Sequence, residues 1–563
     1  MRDLDWKSLD ILLLSGDAYV DHPSFGVALL GRWLVRHGFR VGVAAQPDWE
    51  HPDAAIERLQ EMGRPLLFAG VTAGAIDSML AHFTAFRKKR HDDAYTPGGK
   101  AGARPNRACI VYTGLVRRAF PGIPVVLGGI EASLRRAAHY DFWSDSLRRP
   151  LLQDSKADLL VYGMGEAGLL AIARAARALV DEPGRPGGVG QAVVARNDLQ
   201  AACRDIPGLA WMDSTASIST WLTGHPDILP EQSGTEDAAL KHNRIQKTGM
   251  EKAGTADSAA LRSDEPPTSE RKGRTTFAPL PSYEDILASP PLLMRATLAI
   301  EQQVHQGNRY LIQQSGDRRL VLNPPAPPLS EAELDLLYSL PYTRLPHPSY
   351  SEPIPAWEMI RTSITTHRGC GGGCSFCSLA LHQGRRIASR SRASVIREAE
   401  TIAAGPGAST ASRASGPTST AQAKAPRWAG SISDVGGPSA NMWRARCVLP
   451  EGKTCRRASC MHPSVCHFFA VNQREGVALL RSISALPGIR HVRVASGVRF
   501  DLALKDDEAL FAYTSEFTGG QLKVAPEHVD DAVLELMRKP SLAVFEQFLQ
   551  GFAASCRGSD EGV

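Results

Sequence analysis

Thr362–Ser378 reads TSITTHRGCGGGCSFCS, and its three cysteines, Cys370, Cys374 and Cys377, are spaced C-x3-C-x2-C. A β-prone segment, Thr362 to Thr366, leads into them, and Gly371, Gly372 and Gly373 lie between the first two. With no bulky side chain among them, three thiolates on such a loop can wrap one face of a cubic iron–sulfur cluster. Clusters of this kind are normally held by four thiolates. Three leave one iron open, where a small chelating ligand can bind. The competing readings are a zinc site and three free thiols. Zinc knuckles favour paired C-x2-C units with a fourth ligand, and the strand–glycine loop–helix context fits the cluster better.

Downstream, Arg385 to Arg392 (RRIASRSR) precedes a helical pattern from about Ser394 to Ala404. Residues 405–425 are mostly Gly, Ala, Ser, Thr and Pro, which reads as a floppy insertion. Strand character returns at Gly430 to Val435 and ends in Asp434-Val435-Gly436-Gly437-Pro438. A third strand, Val492 to Ser496, leads to Gly497, Arg499 and Asp501, and a fourth, Gln521 to Val524, leads to Glu527 and His528. Polar groups thus follow each strand, at the end where (β/α) barrels build their sites. Ser496, Arg499, Asp501 and Glu527 are therefore candidate ligand contacts, with loop caps or ion pairs as the plainer role of each.

A second cysteine group, Cys447, Cys455, Cys460 and Cys466, lies near His462 and His467 in a Pro- and Arg-rich stretch with little apolar content. A metal would hold such a loop together. Its gaps of seven, four and five residues match no zinc-finger pattern. An auxiliary iron–sulfur cluster, a structural zinc and unligated thiols all remain open. Cys109, Cys203 and Cys556 stand alone and read as ordinary thiols.

Upstream, Asp10 to Leu14 is a buried-strand run, followed by SGDAYVDHPSFG, a helix closing at Gly38 and a second strand at Arg40 to Ala44. Apolar runs recur at Leu66 to Val71, Pro124 to Leu127 and Leu159 to Tyr162, separated by helical patterns. Alternating strands and helices imply an α/β fold with a parallel, doubly wound sheet, and ligands on such sheets sit beyond the carboxyl ends of the strands. Arginine doublets (Arg117/Arg118, Arg135/Arg136, Arg148/Arg149) and the run Arg87 to His91 could face phosphate, so nucleic acid is a weakly supported partner. Interleaved acids favour ordinary ion pairs. Residues 231–276 lose hydrophobic character and read as a disordered linker or insert. Residues 277–355 form a bridge, helical from about Leu292 to His305, extended through NPPAPPLS, and helical again from a capping box at Ser330 and Glu333. The domains expected are thus 1–230, linker 231–276, bridge 277–355 and core 356–563.

The 563-residue chain has 43% hydrophobic and 22% charged residues and a net charge of +5, which suits a folded protein of about two to four domains. It has no apolar run long enough to span a membrane, and its acidic N-terminus lacks a signal-peptide pattern. Ten cysteines, seven of them between positions 370 and 466, favour metal chemistry in a reducing compartment. A cytoplasmic location is expected.

The C-x3-C-x2-C spacing with Phe376 before the last cysteine resembles the radical S-adenosylmethionine (SAM) superfamily. HRGCGGGCSFC, HQGRRIASRS, SDVGGPSANM, ASGVRFD, QLKVAPEH, SGDAYVDHPSFG and LGGIEASLRR together resemble the YgiQ family within it, from about Leu4 to Pro540. The resemblance implies a [4Fe–4S] cluster on Cys370, Cys374 and Cys377, SAM chelated to the open iron, and a partial (β/α) barrel after a Rossmann-like domain. It implies SAM contacts from Phe376, Asp434, Gly436, Gly437, Ser496, Arg499 and Glu527, a reducing flavodoxin- or ferredoxin-like donor, and a substrate not yet established. The N-terminal part also looks like a cobalamin-binding domain, whose ligating pattern is D-x-H-x-x-G. Here His22 follows Asp21 directly, so cobalamin is not expected. Four barrel strands are readable before the chain stops, so a fragment is expected. Two rival classes stay open: a non-catalytic iron–sulfur electron carrier, and an RNA-binding or scaffold protein.

Overall fold

The computed structural model describes residues 6–181, 193–230, 275–405, 428–450, 453 and 455–560. The expected linker through residue 274 and nearly all of the low-complexity insertion lie outside them.

Five strands alternate with helices from the N-terminus: β1 Ile11–Ser15, β2 Val41–Ala45, β3 Phe68–Thr72, β4 Val125–Gly128 and β5 Leu159–Val161. They lie parallel in the order β2-β1-β3-β4-β5. The apolar runs are continuous because both faces of the sheet are covered. Leu12 and Leu14 join one hydrophobic core with Ala69, Val71 and Leu127. Ile11 and Leu13 join the other, with Phe68, Val126 and Leu159. The helix Gly26–Arg36 sends Leu29, Trp33 and Leu34 into that second core.

The sheet continues further than the sequence reading extends. β6 Leu209–Ser214 runs antiparallel to β5, followed by β7 Leu229–Pro230, β8 Thr276–Pro279, β9 Arg309–Ser315 and β10 Arg318–Leu322, making ten strands in one sheet. Part of the expected bridge is therefore sheet. β9 and β10 form an antiparallel hairpin whose β10 edge pairs with β6. The helix Leu292–Gln306 precedes it, and the Ser330–Glu333 capping box forms as read.

The C-terminal half holds a third core around Ile364, Val435, Leu480 and Phe500. Its strands are short. Ser363–Thr365 pairs in parallel with Asp434–Gly436, and Ser431–Ile432 with His491–Val492. Residues 521–524, read as a fourth strand, carry no ladder; the chain there is extended and accepts one bond, from Val498 N to Lys523 O at 3.0 Å. The alternation Leu522/Val524 reflects partly buried packing on the third core rather than pairing.

Burial pushes His139 and His382 down to about 4 and holds His22 well below its ordinary value of 6.5. The unfolded chain then binds protons that the folded chain refuses, so stability is full above pH 6.5 and is lost as pH falls toward 4. Asp17 and Asp77, pushed up to about 6 by burial, oppose this in part of the same window. With His367, likewise held down to about 4, four imidazoles outweigh the two carboxyls. The Tm is expected to fall across that range in a buffer-matched thermal scan; a flat or rising Tm contradicts this assignment.

Candidate functional site

The cysteine loop is closed at its base. His367–Arg368 pairs antiparallel with Ala388–Ser389, so residues 369–387 make an excursion from one short ladder. Gly369 stands at φ +86°, where a side chain is strained and its Cβ would strike the carbonyl of Arg386. Cys370 N donates to Gly384 O at 3.1 Å and Cys377 N to Cys374 O at 3.2 Å. A Cβ placed on Gly372 would lie 3.3 Å from Cys370 Sγ, 3.5 Å from Cys374 Sγ and 3.5 Å from Arg499 Nη1. Two sulfurs and a guanidinium therefore surround this bare backbone. Burial first, then the sulfurs of Cys374 and Cys377, push the Cys370 thiol up, while Arg499 pulls it down. Burial and Cys374 push Cys377 up likewise. The three thiols thus feel one another. Among the described residues no group of three His, Cys, Asp or Glu side chains converges tightly enough for a single metal ion.

The other expected site residues divide into two sets. Asp434 Oδ1 accepts from Ala495 N at 2.7 Å and Ser496 N at 2.9 Å, and its other oxygen accepts from the Ser496 hydroxyl. Gly436 O accepts from Thr366 N, and Gly437 packs so closely on His367 that a Cβ would lie 2.7 Å from its ring. Arg499 is buried and forks onto Asp501, at 2.9 and 2.6 Å. These residues lie together beside the loop. Phe376, by contrast, is 52% exposed. Glu527 is exposed, at φ +73°, and reaches Lys539 Nζ at 3.5 Å; both influence Cys377. Gly437→Ala is expected to cost about 1–3 kcal/mol through overpacking on His367, read as a lower urea midpoint; an unchanged midpoint removes that packing role.

A cavity of about 490 Å³ lies between this cluster and the carboxyl edge of the large sheet. Ser15, Thr72, Gly128 and Gly163 line it from the sheet side, and Asp434, Gly436, Gly437 and Ser496 from the other. It falls where β1 and β3 diverge in strand order, the position doubly wound sheets use for ligands. Residues missed by sequence reasoning line it too. Arg368 donates to Glu166 Oε1 at 2.5 Å, and His382 Nδ1 lies 2.9 Å from Ser133 Oγ, each joining the cysteine region to the sheet. Burial pushes His367 down to about 4, leaving it neutral at pH 7. No local sequence signal marks a pair 202 residues apart such as Glu166 and Arg368; the polar ends of the strands are the only hint.

His22 is buried, and its Nδ1 accepts from Ser24 N at 3.1 Å. It is not part of the cavity wall, in keeping with a loop role. The arginine doublets are largely engaged: Arg117 with Asp158, Arg118 with Asp53, Arg135 with Asp77, and Arg148 and Arg149 with Asp154. That pairing withdraws the charge a phosphate surface would need. Among the described residues no helix is long and apolar enough to cross a membrane.

Residues 1–363 match the Radical SAM N-terminal family, and the chain belongs to that family. Within it the relatives are UPF0313 proteins. The UPF0313 protein YgiQ of Escherichia coli K12 is 42% identical over 98% of this chain and 70% of its own length. The UPF0313 protein GSU2873 of Geobacter sulfurreducens is 44% identical over 97% of this chain and 75% of its own. The Yersinia pestis UPF0313 protein is 42% identical, and the chain spans 65% of it. Among solved structures, the radical SAM methyltransferase TsrM from Kitasatospora setae with cobalamin and [4Fe–4S] cluster bound covers 98% of this chain and 65% of its own, at 16% identity and a TM-score of 0.43. That likeness is too slight to bear on function.

Proposed function

We propose that this chain is the SAM-binding part of a radical SAM enzyme, with Cys370, Cys374 and Cys377 as the ligands of a [4Fe–4S] cluster. The carrying observation is the bare backbone at Gly372, flanked by Cys370 Sγ, Cys374 Sγ and the Arg499 guanidinium. It fits a cluster on three grounds: soft thiolate donors, room where a side chain would intrude, and a buried cation beside groups that must become anionic. When bound and reduced, such a cluster supplies the electron that cleaves SAM into methionine and a 5′-deoxyadenosyl radical.

The chain's own residues bind and shield. Gly436 and Gly437 let the backbone approach a ligand in the cavity closely, and Asp434 and Ser496 present polar atoms beside them. The wall of the large sheet covers the opposite side of the cavity, a share of the shielding from water that radical chemistry requires. Neutral His367 and His382 add no charge to that space. The electron would come from a flavodoxin- or ferredoxin-like donor, and the substrate would occupy the remaining volume. The test is anaerobic reconstitution followed by incubation with SAM and a strong reductant. Formation of 5′-deoxyadenosine above the cluster-free background supports the reading; a fully loaded protein that forms none overturns it.

A further inference from the structure

The loop carrying the second cysteine group is also closed at its base. Arg446–Cys447 pairs antiparallel with Phe469–Ala470, Cys447 standing opposite Phe469. Within the loop, Cys466 N donates to Cys460 O at 2.8 Å and turns the chain back on itself. Between these ends, among the described residues, only Ser459, Met461 and Cys466 are buried. So small a core does not hold twenty residues in place by hydrophobic burial alone. Cys466 lies in a small apolar cluster with Met442, Met461, Phe469 and Leu502, and Cys460 packs against it.

A second, independent feature points at the same spot. Arg385 is 5% exposed, and its Nη2 donates to Cys460 Sγ at 3.5 Å. Its Nη1 donates to Arg457 O at 2.7 Å, and its Nε has no partner. Among the described residues no carboxylate pairs with it. A buried cation needs a compensating anion, and the side chain its fork meets is the Cys460 thiol. Four thiolates around an iron–sulfur core carry net negative charge and would supply it.

We propose that Cys447, Cys455, Cys460 and Cys466 ligate a second iron–sulfur cluster of the [4Fe–4S] class, with Arg385 as its buried counter-ion. The site abuts the first loop: Cys460 N donates to Gly371 O at 2.9 Å, and the Ser459 hydroxyl donates to Gly372 O. The second cluster therefore stiffens the wall that holds Cys370 and Cys374 apart from the surface. The inference stands on its own residues and does not depend on SAM chemistry.

The test is metal counting on the full chain after anaerobic loading with ferrous iron and sulfide, with zinc measured in parallel. Wild type is expected to hold about eight irons, two clusters' worth. Cys447→Ser/Cys455→Ser, at an exposed and a half-buried position, should hold about four. Cys370→Ala/Cys374→Ala/Cys377→Ala should also hold about four, all with sulfide. Circular dichroism of each variant confirms that it is folded, and the two variants disturb different loops, so failure of one leaves the other to decide. Iron unchanged in the Cys447→Ser/Cys455→Ser variant and absent from the triple variant overturns this inference and spares the proposed function. Iron lost only from the Cys447→Ser/Cys455→Ser variant does the reverse. Stoichiometric zinc in place of the second iron complement also overturns it.

Discussion

Cys374→Ala is expected to reduce SAM cleavage to background, a fall of more than about 100-fold, with the iron of its loop lost. Its sulfur is one of two that face the bare backbone of Gly372. Two thiolates do not hold a cube that three grip from one side. The side chain is only half-buried and belongs to no hydrophobic core. The metal-free variant should therefore melt within about 0.5 kcal/mol of the metal-free parent, as surface changes usually do. Cleavage retained by the variant would contradict the ligand assignment, while a large loss of metal-free stability would show that the residue serves packing.

Arg104→Met is expected to destabilise the N-terminal sheet by about 3–5 kcal/mol, the usual cost of removing one partner from a buried ion pair. Arg104 has a fully buried side chain and pairs with Asp17 at 2.8 Å and Asp93 at 3.2 Å. Its Nη1 also donates to Ala73 O at 2.5 Å. Methionine fills much of the space but leaves two carboxylates without a counter-charge. Burial already pushes Asp17 up to about 6 against the pull of Arg104. Without that pull Asp17 takes up a proton more readily, so the deficit should shrink as pH is lowered from neutral toward 5. Urea unfolding at two pH values reads both effects. A loss below about 1 kcal/mol, or one that grows on acidification, would contradict the account.

The sheet was legible where chemistry is local. Ile11 to Leu14 announces a strand because every position is buried, alternate residues entering opposite cores. The Ser330–Glu333 box announces a helix start because both partners lie in one turn. β9 and β10 were not legible, because Arg309, Gln313, Gln314, Arg318 and Arg319 break the apolar pattern. Gln313 is nonetheless buried, its side chain accepting from Ala138 N at 2.8 Å and donating to Pro281 O at 3.0 Å. A tertiary bond made that polar residue a core residue, and nothing in its neighbours shows it. Residues 521–524 failed in the opposite sense: alternation is present, but among the described residues no strand pairs with them.

The site shows the same division. The cysteine spacing and the glycines could be read directly, since three ligands within eight residues are held by the loop itself. Ser496 was named by strand-end logic and Asp434 by the family resemblance; the two are 62 residues apart in sequence, bond to each other and line the cavity. Phe376 was carried by motif alone and Glu527 by its place after the expected strand at residues 521–524, which carries no ladder, and both stand exposed. Arg385 went unread as a partner of Cys460 because the contact spans 75 residues and joins two separate loops.

The most direct measurement is low-temperature electron paramagnetic resonance of the reduced, cluster-loaded protein with and without SAM. The account predicts a [4Fe–4S]⁺ signal whose g-values change when SAM is added, because one iron lacks a cysteine and takes the ligand. The change should be absent in Cys370→Ala/Cys374→Ala/Cys377→Ala. A cluster signal that is indifferent to SAM, in protein with a full iron complement, would contradict it.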